Sequence, residues 1–461
     1  MTLLAINWGT VGIQVFYLLL SLSILVILHE FGHYITAKWF KCRVEKFYLF
    51  FNPWFSIFKK KIGDTEYGIG WLPLGGYVKI AGMIDESMDK DAMKLPPQPY
   101  EFRSKPAWQR LIIMLAGIIM NVLLAFIIYA MVLFVWGEKK IPTTSLKYGL
   151  SFSDSSLMSQ FNFRNGDNII AVDGKPVDDY ANAVNKLVLV NHTVTVIRDN
   201  KEVNIDMPVN LIGKLMDKKK NGSGPLFLPR MPVIVDETPD TSAGYKEGLR
   251  LHDQIVAVDS TQTPFMDEFK SYLIKHAGQY VNLVIKREDK QDTIHALDRE
   301  DATIGFIPVS GFEELDSIGV LKLEKKKYGF FEAIPAGVSG SFDQLGSYIA
   351  GFKKVVHPET GAYKSISGFK GIGSLFPTQW GDWETFWRIT AFLSIILAFM
   401  NLLPIPALDG GHVLFTLIEM ISGRKPSDKF LEYAQIAGMV FLFALMLFAN
   451  GNDWFGWGRG H

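Results

Sequence analysis

The sequence predicts a multi-span α-helical membrane protein that also carries a short β-rich segment and a soluble α+β region. Two observations support this prediction: the chain contains four uncharged apolar runs, and soluble-type sequence separates the second run from the third. Each run is near the roughly 20 residues that a helix needs to cross about 30 Å of hydrocarbon. A buried core helix is the alternative for any single run, but four runs in one chain favour membrane spans. The runs are 11–28, 111–136, 389–408 and 434–450.

Composition agrees with a membrane protein that has soluble parts. The 461 residues exceed one ordinary domain, and 48% of them are hydrophobic while only 20% are charged. Lys+Arg and Asp+Glu both total 47, so the net charge gives no reason to expect a nucleic-acid partner. Cys42 is the only cysteine, which rules out an intramolecular disulfide. We interpret the first run as a span rather than a signal peptide, because no basic residue precedes it.

The distribution of lysine and arginine predicts the orientation of the spans, because short cytoplasmic loops carry an excess of both. Basic residues are concentrated after the first run, before the second run, and between the third and fourth runs. The N-terminus, the region 140–385 and the C-terminus are therefore expected outside. The first and third spans then run the same way, and their C-terminal ends meet the cytoplasmic face of the bilayer.

The motif HEFGH occupies residues 29–33, at the end of the first apolar run. His29 and His33 are four residues apart, so both imidazoles project from one helix face toward one metal ion. Glu30 lies beside them, where its carboxylate can take a proton from a metal-bound water. This pattern indicates a zinc hydrolase at an unusual place, since the bilayer excludes the water that hydrolysis consumes.

A second motif, NLLPIPALDGGH over 401–412, follows the third run. The predicted orientation brings Asp409 to the depth of the two histidines, and a catalytic zinc usually takes three protein ligands and one water. Asp409 is the expected third ligand. His412 is the alternative third ligand; otherwise it supports the ligands or caps a helix. Pro404 and Pro406 should break the helix, which membrane proteins tolerate where the freed backbone lines a cavity.

HEFGH on one span together with NLLPIPALDG on another resembles the site-2 protease family of intramembrane zinc metalloproteases, and within it the RseP-type members with tandem PDZ domains. The resemblance covers nearly the whole chain. It implies zinc bound by His29, His33 and Asp409, with Glu30 as the catalytic glutamate. It also implies that Asn401 holds the scissile backbone or the developing oxyanion, although Asn401 could instead satisfy backbone freed by the prolines.

Glycines at 68, 70, 75, 76 and 82 punctuate β-favouring residues over 68–83, which predicts a hairpin or a strand-rich loop. The resemblance implies a membrane-associated β-loop that holds extended substrate by backbone hydrogen bonds. A small packing hairpin is the alternative. The aromatic and then basic segment 51–61 suits the membrane interface. The expected substrate-binding residues are Gly75, Gly76, Tyr77, Val78, Asn401 and Pro404, and Asn121 is expected in a helix–helix hydrogen bond or against substrate.

The soluble region contains an internal repeat of about 86 residues. Its first copy, around Asp167 and Asp173, and its second, around Asp253 and Asp259, resemble the PDZ pattern GDxIxxVDG, with His252 replacing a glycine in the second copy. We expect two external PDZ-like α+β domains. They could bind peptide termini by strand addition, or act as a size-exclusion filter over the active site, which the resemblance implies.

Apolar residues spaced three or four apart predict an amphipathic helical segment over 328–372, broken by its glycines and proline. It could pack on the two PDZ-like domains or lie on the outer membrane surface. The predicted segments are 1–37 (first span with HEFGH), 38–110 (cytoplasmic, with the β segment), 111–136 (second span), 140–225 and 226–310 (PDZ-like domains), 328–372 (amphipathic), 387–412 (third span with the second motif), 413–432 (cytoplasmic connection) and 433–450 (fourth span).

These features predict an intramembrane zinc endopeptidase of a bacterial inner membrane that cuts single-span membrane proteins after a first external cleavage. By resemblance, the substrate would be an anti-sigma factor, and remnant signal peptides are a second class. Two alternatives belong to other classes: a catalytically idle membrane scaffold that presents PDZ domains, and a soluble-type zinc protease anchored by its N-terminus. The second would need a metal ligand in the external region.

Overall fold

The computed structural model describes residues 7–458 except 74, 84–95, 153–157, 159, 220–225, 241, 289 and 298–302. Its α-helices are α1 Trp8–Trp39, α2 Ala107–Val135, α3 Tyr180–Val188, α4 Leu211–Lys219, α5 Ala243–Lys246, α6 Met266–His276, α7 Phe312–Ser317, α8 Phe330–Val355, α9 Phe369–Gly373, α10 Trp383–Leu402, α11 Asp409–Ser422 and α12 Asp428–Phe455.

Its strands are β1 Val44–Leu49, β2 Phe51–Ile62, β3 Thr65–Leu72, β4 Tyr77–Ile80, β5 Glu138–Lys140, β6 Leu150–Ser151, β7 Asn168–Val172, β8 Lys175–Pro176, β9 Thr193–Arg198, β10 Lys201–Asp206, β11 Leu228–Pro229, β12 Val233–Glu237, β13 Gln254–Val258, β14 Thr261–Gln262, β15 Tyr280–Arg287, β16 Lys290–Leu297, β17 Ile307–Pro308 and β18 Glu324–Lys326. The chain forms two compact units: 1–137 with 327–356 and 363–461, and 138–326 with 357–362. We call them the helical unit and the repeat unit.

Four helices of the helical unit, α1, α2, α10 and α12, are long and apolar enough to cross a membrane within the described residues. They contain the runs 11–28 and 434–450 and most of the runs 111–136 and 389–408, so the prediction of four candidate spans is confirmed. Their polar exceptions are buried inside the unit: the Thr390 hydroxyl donates to the Ser21 hydroxyl between α10 and α1. The Ser394 hydroxyl donates to the Asn121 carbonyl between α10 and α2. Such pairs remove polar groups from contact with lipid.

The predicted third segment, 387–412, contains a helix break. Helix α10 ends at Leu402 and a new helix, α11, begins at Asp409, so the break expected at Pro404 and Pro406 is present. Pro404 and Pro406 explain the break, because proline lacks an N–H and disfavours helical backbone in the residue before it. The predicted connection 413–432 is accordingly helical up to Ser422.

The segment after α1 forms a four-stranded sheet in the order β2-β3-β1-β4. Strands β1 and β3 are parallel, whereas β4 pairs with β1 in the antiparallel sense. The predicted strand-rich segment 68–83 contributes only the end of β3 and all of β4, and the aromatic-basic segment 51–61 is the long strand β2. Strand β4 lies at the edge of the sheet and has one free side among the described strands.

Helix α8 runs without interruption from Phe330 to Val355, so the predicted breaks inside this stretch are wrong. Pro335 lies in its second turn and removes one backbone donor, which the remaining turns and side-chain packing outweigh. The helix packs along two spans of the helical unit. Gly337 lies against the Ala130 backbone of α2 where a Cβ would overlap it, and the Phe352 ring lies 5.4 Å from that of Phe399 in α10.

The repeat unit contains the predicted repeat as two stretches that fold alike. Strand β7, strand β8 and helix α3 begin 86 residues before β13, β14 and α6, respectively. The first copy has the sheet order β10-β9-β7-β8, and the second has β16-β15-β13-β12-β17 with β14 paired to β13. Each copy has its own apolar core. The expected boundary at 225/226 adjoins residues 220–225, which lie outside the described residues.

Candidate metal centre

His29 and His33 lie on one face of α1, four residues apart, and are only 8% and 6% exposed. The helix can bury these rings because α1 and α2 approach each other closely. Gly32 lies against the Ala116 carbonyl of α2, and a Cβ on Gly117 would occupy the space of the His33 ring. Two glycines, one on each helix, therefore make room for the pair of imidazoles inside an apolar bundle.

Asp409 lies beside the two histidines although it is 376 residues beyond His33 in the sequence. It is the first residue of α11, and the following Gly410 and Gly411 pack on backbone of the 402–406 turn so tightly that a Cβ would overlap it. Ala407, within this turn, has a φ of +89°, a conformation that costs an L-residue free energy. The glycines of LDGG thus permit the tight turn that aims the Asp409 carboxylate at the histidines.

Three ligand atoms converge at this point. The His29 and His33 Nε2 atoms are 3.3 Å apart, and the Asp409 Oδ2 atom lies 3.1 Å from the first and 3.2 Å from the second. Within the described residues this is the group of His, Cys, Asp and Glu side chains arranged to hold a metal ion. Two imidazoles and one carboxylate are the ligand types of a catalytic zinc that keeps a position open for water.

The hydrogen bonds around these side chains test whether the site fits a cation. The Nδ1 atom of His33 lies 2.8 Å from the Ile113 carbonyl, which accepts its proton and leaves the Nε2 lone pair for a metal. Asp409 Oδ2 is buried yet accepts no hydrogen bond from a described residue. A buried carboxylate oxygen without a donor costs free energy, and a divalent cation beside two imidazole lone pairs removes that cost. The residues therefore fit zinc.

Asn121 of α2 contacts the other face of His29, with its Nδ2 atom 3.1 Å from Nδ1. Its Oδ1 atom is buried and has no donor among the described residues. A half-turn of the amide would let Oδ1 accept the Nδ1 proton of His29 and leave Nε2 for the metal, the arrangement usual for a metal-binding histidine. Of the two roles expected for Asn121, the structure favours the helix–helix hydrogen bond, here made to a candidate ligand.

Glu30 and the three candidate ligands open onto a cavity of about 560 Å³. Its apolar lining comes from the sheet, from Met114 of α2 and from the turn before α11, whereas α1 contributes only the polar side chains of HEFGH. The Val78 backbone N–H donates a hydrogen bond to the Glu30 carboxyl. This contact ties the expected proton-transfer group to the free edge of β4, beside the space that a substrate would enter.

The expected substrate-binding residues divide into two groups. Gly76, Tyr77 and Val78 line the cavity, whereas Gly75 and Pro404 are absent from its lining. The Asn401 Nδ2 atom lies 3.4 Å from His29 Nε2, close to where a metal would be held. His412, the alternative ligand, also lines the cavity but does not belong to the three-residue group.

Sequence reasoning missed three features of the site. The Ile113 carbonyl has no side-chain signal at all. Gly117 could have been suspected as the glycine one turn before Asn121 in an apolar run. Gln435 of α12 also lines the cavity; its signal was a single amide at the start of the fourth apolar run.

These findings define a class: a helical membrane protein with a buried His₂Asp centre and an adjacent glutamate, as in metal-dependent hydrolases. Comparison with known proteins agrees. Residues 17–445 match the model of Peptidase family M50, and the chain belongs to that family. The chain is accordingly a zinc metalloprotease.

Three relatives illustrate the match. A candidate zinc metalloprotease of Xylella fastidiosa strain Temecula1 is 27% identical over 96% of this chain and 99% of its own length. The regulator of sigma-E protease RseP of Salmonella typhimurium strain 14028s is 28% identical over 94% and 97%. A candidate zinc metalloprotease of Rickettsia conorii is 30% identical over 94% and 96%. The similarity thus extends over nearly full-length chains.

Proposed function

We propose that this protein is an intramembrane zinc endopeptidase in which His29, His33 and Asp409 hold the zinc and Glu30 moves the proton. The convergence of three ligand atoms within 3.3 Å of one another is the observation that carries the proposal. When bound, zinc would polarise the scissile carbonyl and lower the pKa of a water. Glu30 accepts the water proton and returns it to the leaving amine. Asn401 donates to the carbonyl oxygen as negative charge develops there.

The Glu30→Gln variant tests the mechanism. It keeps the shape and the acceptor for Val78 but lacks a basic carboxylate, so turnover should fall by at least about a hundredfold, the range of general acid–base catalysis, while one zinc per chain is retained. Glu384→Gln is a matched control, because Glu384 pairs with Arg388 at the start of α10 and does not line the cavity. Full activity of Glu30→Gln would refute the assigned role of Glu30.

The substrate segment would bind in extended form along β4. Strand β4 is the edge strand of the sheet, with no described strand on its side away from β1, and its residues Tyr77 and Val78 line the cavity that contains the candidate metal ligands. Strand addition satisfies backbone groups that an unwound transmembrane helix would otherwise expose to an apolar environment. This gives the sheet a role in catalysis: it holds the peptide extended beside the Glu30 carboxyl.

Replacement of Val78 by proline removes the N–H that donates to Glu30 in the free protein and that would pair with the backbone of the bound substrate. We expect kcat/KM for a single-span substrate to fall at least tenfold, with zinc content unchanged, while Val78→Thr, which retains the N–H, stays near wild type. Unchanged turnover of a folded Val78→Pro protein would eliminate strand addition at this edge.

The membrane setting extends the proposal. The basic residues around 38–110 and 413–432 support a cytoplasmic location for these segments in a bacterial inner membrane, with the termini and the repeat unit periplasmic. Similarity to the regulator of sigma-E protease RseP of Salmonella typhimurium supports regulated intramembrane proteolysis. The expected substrate is a single-span anti-sigma factor after a first external cut, with remnant signal peptides as a second class. Membrane proteomics should detect these fragments accumulating in cells with Glu30→Gln.

The two repeats, proposed as PDZ-like domains at 140–225 and 226–310, would act as a size-exclusion filter that rejects substrates with bulky external parts. A folded domain grafted onto the external end of a substrate should block cleavage, and deletion of 140–310 should restore it. If the deleted enzyme cuts a short substrate but still spares the bulky one, the filter is wrong.

A further inference from the structure

Gln435 is an exceptional residue of α12. It lies in a helix apolar enough to span a membrane, yet its side chain is polar, only 5% exposed, and part of the cavity lining. Other buried amides of the helical unit have partners: the Asn452 side chain donates to the Lys364 and Ile366 carbonyls. The Gln435 amide makes no hydrogen bond within the part of the chain that the structure describes. Its amide atoms do not belong to the enclosed polar atoms without a partner, so they face the cavity, where an incoming polar group can reach them.

The packing of α12 fixes where Gln435 points. Gly438 follows three residues later and therefore shares its helix face. A Cβ on Gly438 would overlap the Pro406 carbonyl, so α12 contacts the turn before Asp409 at van der Waals distance. Ala407 and Leu408 of that turn also line the cavity. The amide of Gln435 is thus held at the cavity wall formed by α12 and this turn, on a different element from strand β4.

An extended peptide in this cavity has hydrogen-bonding groups on both sides. One side would pair with β4, but the N–H and C=O groups of the other side would enter a mainly apolar space and lose their hydration. A glutamine amide offers one acceptor and two donors, which match a peptide group. No charge is introduced, so the side chain suits the backbone of any sequence rather than a particular side chain.

We propose that Gln435 is a substrate-binding residue that hydrogen-bonds a backbone peptide group of the substrate on the side not paired with β4. The inference rests on the proposed strand addition. It explains why a polar group of an apolar helix faces the cavity without a partner among the described residues: its partner arrives with the substrate. The residue would thereby favour the extended over the helical form of the substrate, whose peptide groups are already paired within the helix.

The experiment uses the full-length zinc protein in liposomes and a synthetic single-span peptide that the wild type cleaves. Gln435→Met keeps length and flexibility but removes all hydrogen bonds, and should lower kcat/KM about tenfold, corresponding to one lost hydrogen bond, with zinc content unchanged. Tyr433→Phe is the matched control, because Tyr433 lies two residues away, is 72% exposed and does not line the cavity. It should retain wild-type kcat/KM.

Ester substitution identifies the contact. Each amide near the scissile bond is replaced in turn by an ester, which lacks the N–H and has a weaker carbonyl acceptor. At one position the ester should slow wild type about tenfold yet leave Gln435→Met unaffected, because that variant has already lost the contact. If at least one ester slows cleavage but wild type and Gln435→Met respond equally at every position, the role of Gln435 is refuted while strand addition stands.

Two further outcomes are decisive. If no ester slows the wild type, strand addition and the Gln435 contact both fail. If Gln435→Met cleaves the all-amide peptide at the wild-type rate, the Gln435 amide hydrogen-bonds only water in the cavity and the inference is overturned.

Discussion

Buried aspartates of the helical unit and of the repeat unit differ in their hydrogen bonding. Asp167 accepts two hydrogen bonds from the Arg198 guanidinium and one from the Arg164 backbone N–H. Asp409, in contrast, has an oxygen that accepts no hydrogen bond from a described residue and lies against two imidazole nitrogens. A carboxylate whose lone pairs are filled stabilises a fold, whereas one left without donors is available to a cation. The number of donors, rather than burial, separates the structural aspartate from the functional one.

The largest expected effect comes from Asp409→Asn. The amide is a poor zinc ligand, so metal content should fall well below one per chain. Activity should fall at least about a thousandfold, because the bound metal lowers the activation barrier by several kcal/mol. Metal analysis and turnover measure these two quantities.

Loss of an aspartate whose two oxygens both accept hydrogen bonds should instead lower stability and leave zinc content unchanged. Asp167→Ala strands the Arg198 side chain, which is only 12% exposed, and should cost the first repeat about 3–5 kcal/mol with zinc content unchanged. Asp253→Ala should cost less, because the Arg287 side chain is 43% exposed and can reach water. Hydrogen exchange of β9 and β15 amides in the full chain measures both changes. Equal losses in the two repeats would contradict this ordering.

A smaller difference between the repeats lies one residue earlier. Gly166 has a φ of +98°, and His252, its counterpart, has a φ of +67°. His252 therefore occupies the left-handed region, which a residue with a Cβ can enter at a cost of about 1–2 kcal/mol, whereas +98° is favourable only for glycine. Gly166→His should destabilise the first repeat by about 1–3 kcal/mol. His252→Gly should change the second by less than about 1 kcal/mol, since relief of strain is offset by backbone entropy.

The contrast also explains what the sequence could predict. The four spans, the shared face of His29 and His33, and the approach of Asp409 follow from hydropathy, helix period and the distribution of basic residues, all local signals. The parallel pairing of β1 with β3 and the uninterrupted helix α8 depend on packing between distant segments, so local patterns missed them. Gln435 stood out only once its burial and missing partner were visible, because a single amide in an apolar run has no signature of its own.

The smallest effect expected is the loss of stability in acid that comes from Asp173 in the first repeat and Asp259 in the second. Burial acts to raise the pKa of Asp173, but hydrogen bonds from the Asn191, His192 and Thr193 backbone N–H groups outweigh it and the pKa is lowered. Burial also acts to raise the pKa of Asp259. Hydrogen bonds from Asn282 and Tyr272 outweigh this effect, so the pKa of Asp259 is lowered as well.

A lowered folded-state pKa means that each carboxylate stabilises its repeat fully above its unfolded pKa of about 3.9. This stability is lost as the pH falls through the folded value, because the unfolded chain then binds the proton more readily. Both aspartates are only half-buried, whereas Asp167 is 1% exposed, so each contribution should be well under that of Asp167. Hydrogen exchange of the full chain at pH 6 and pH 3 should show a stability loss in β9 that Asp173→Asn lacks. An equal loss in Asp173→Asn would assign the acid sensitivity to other groups.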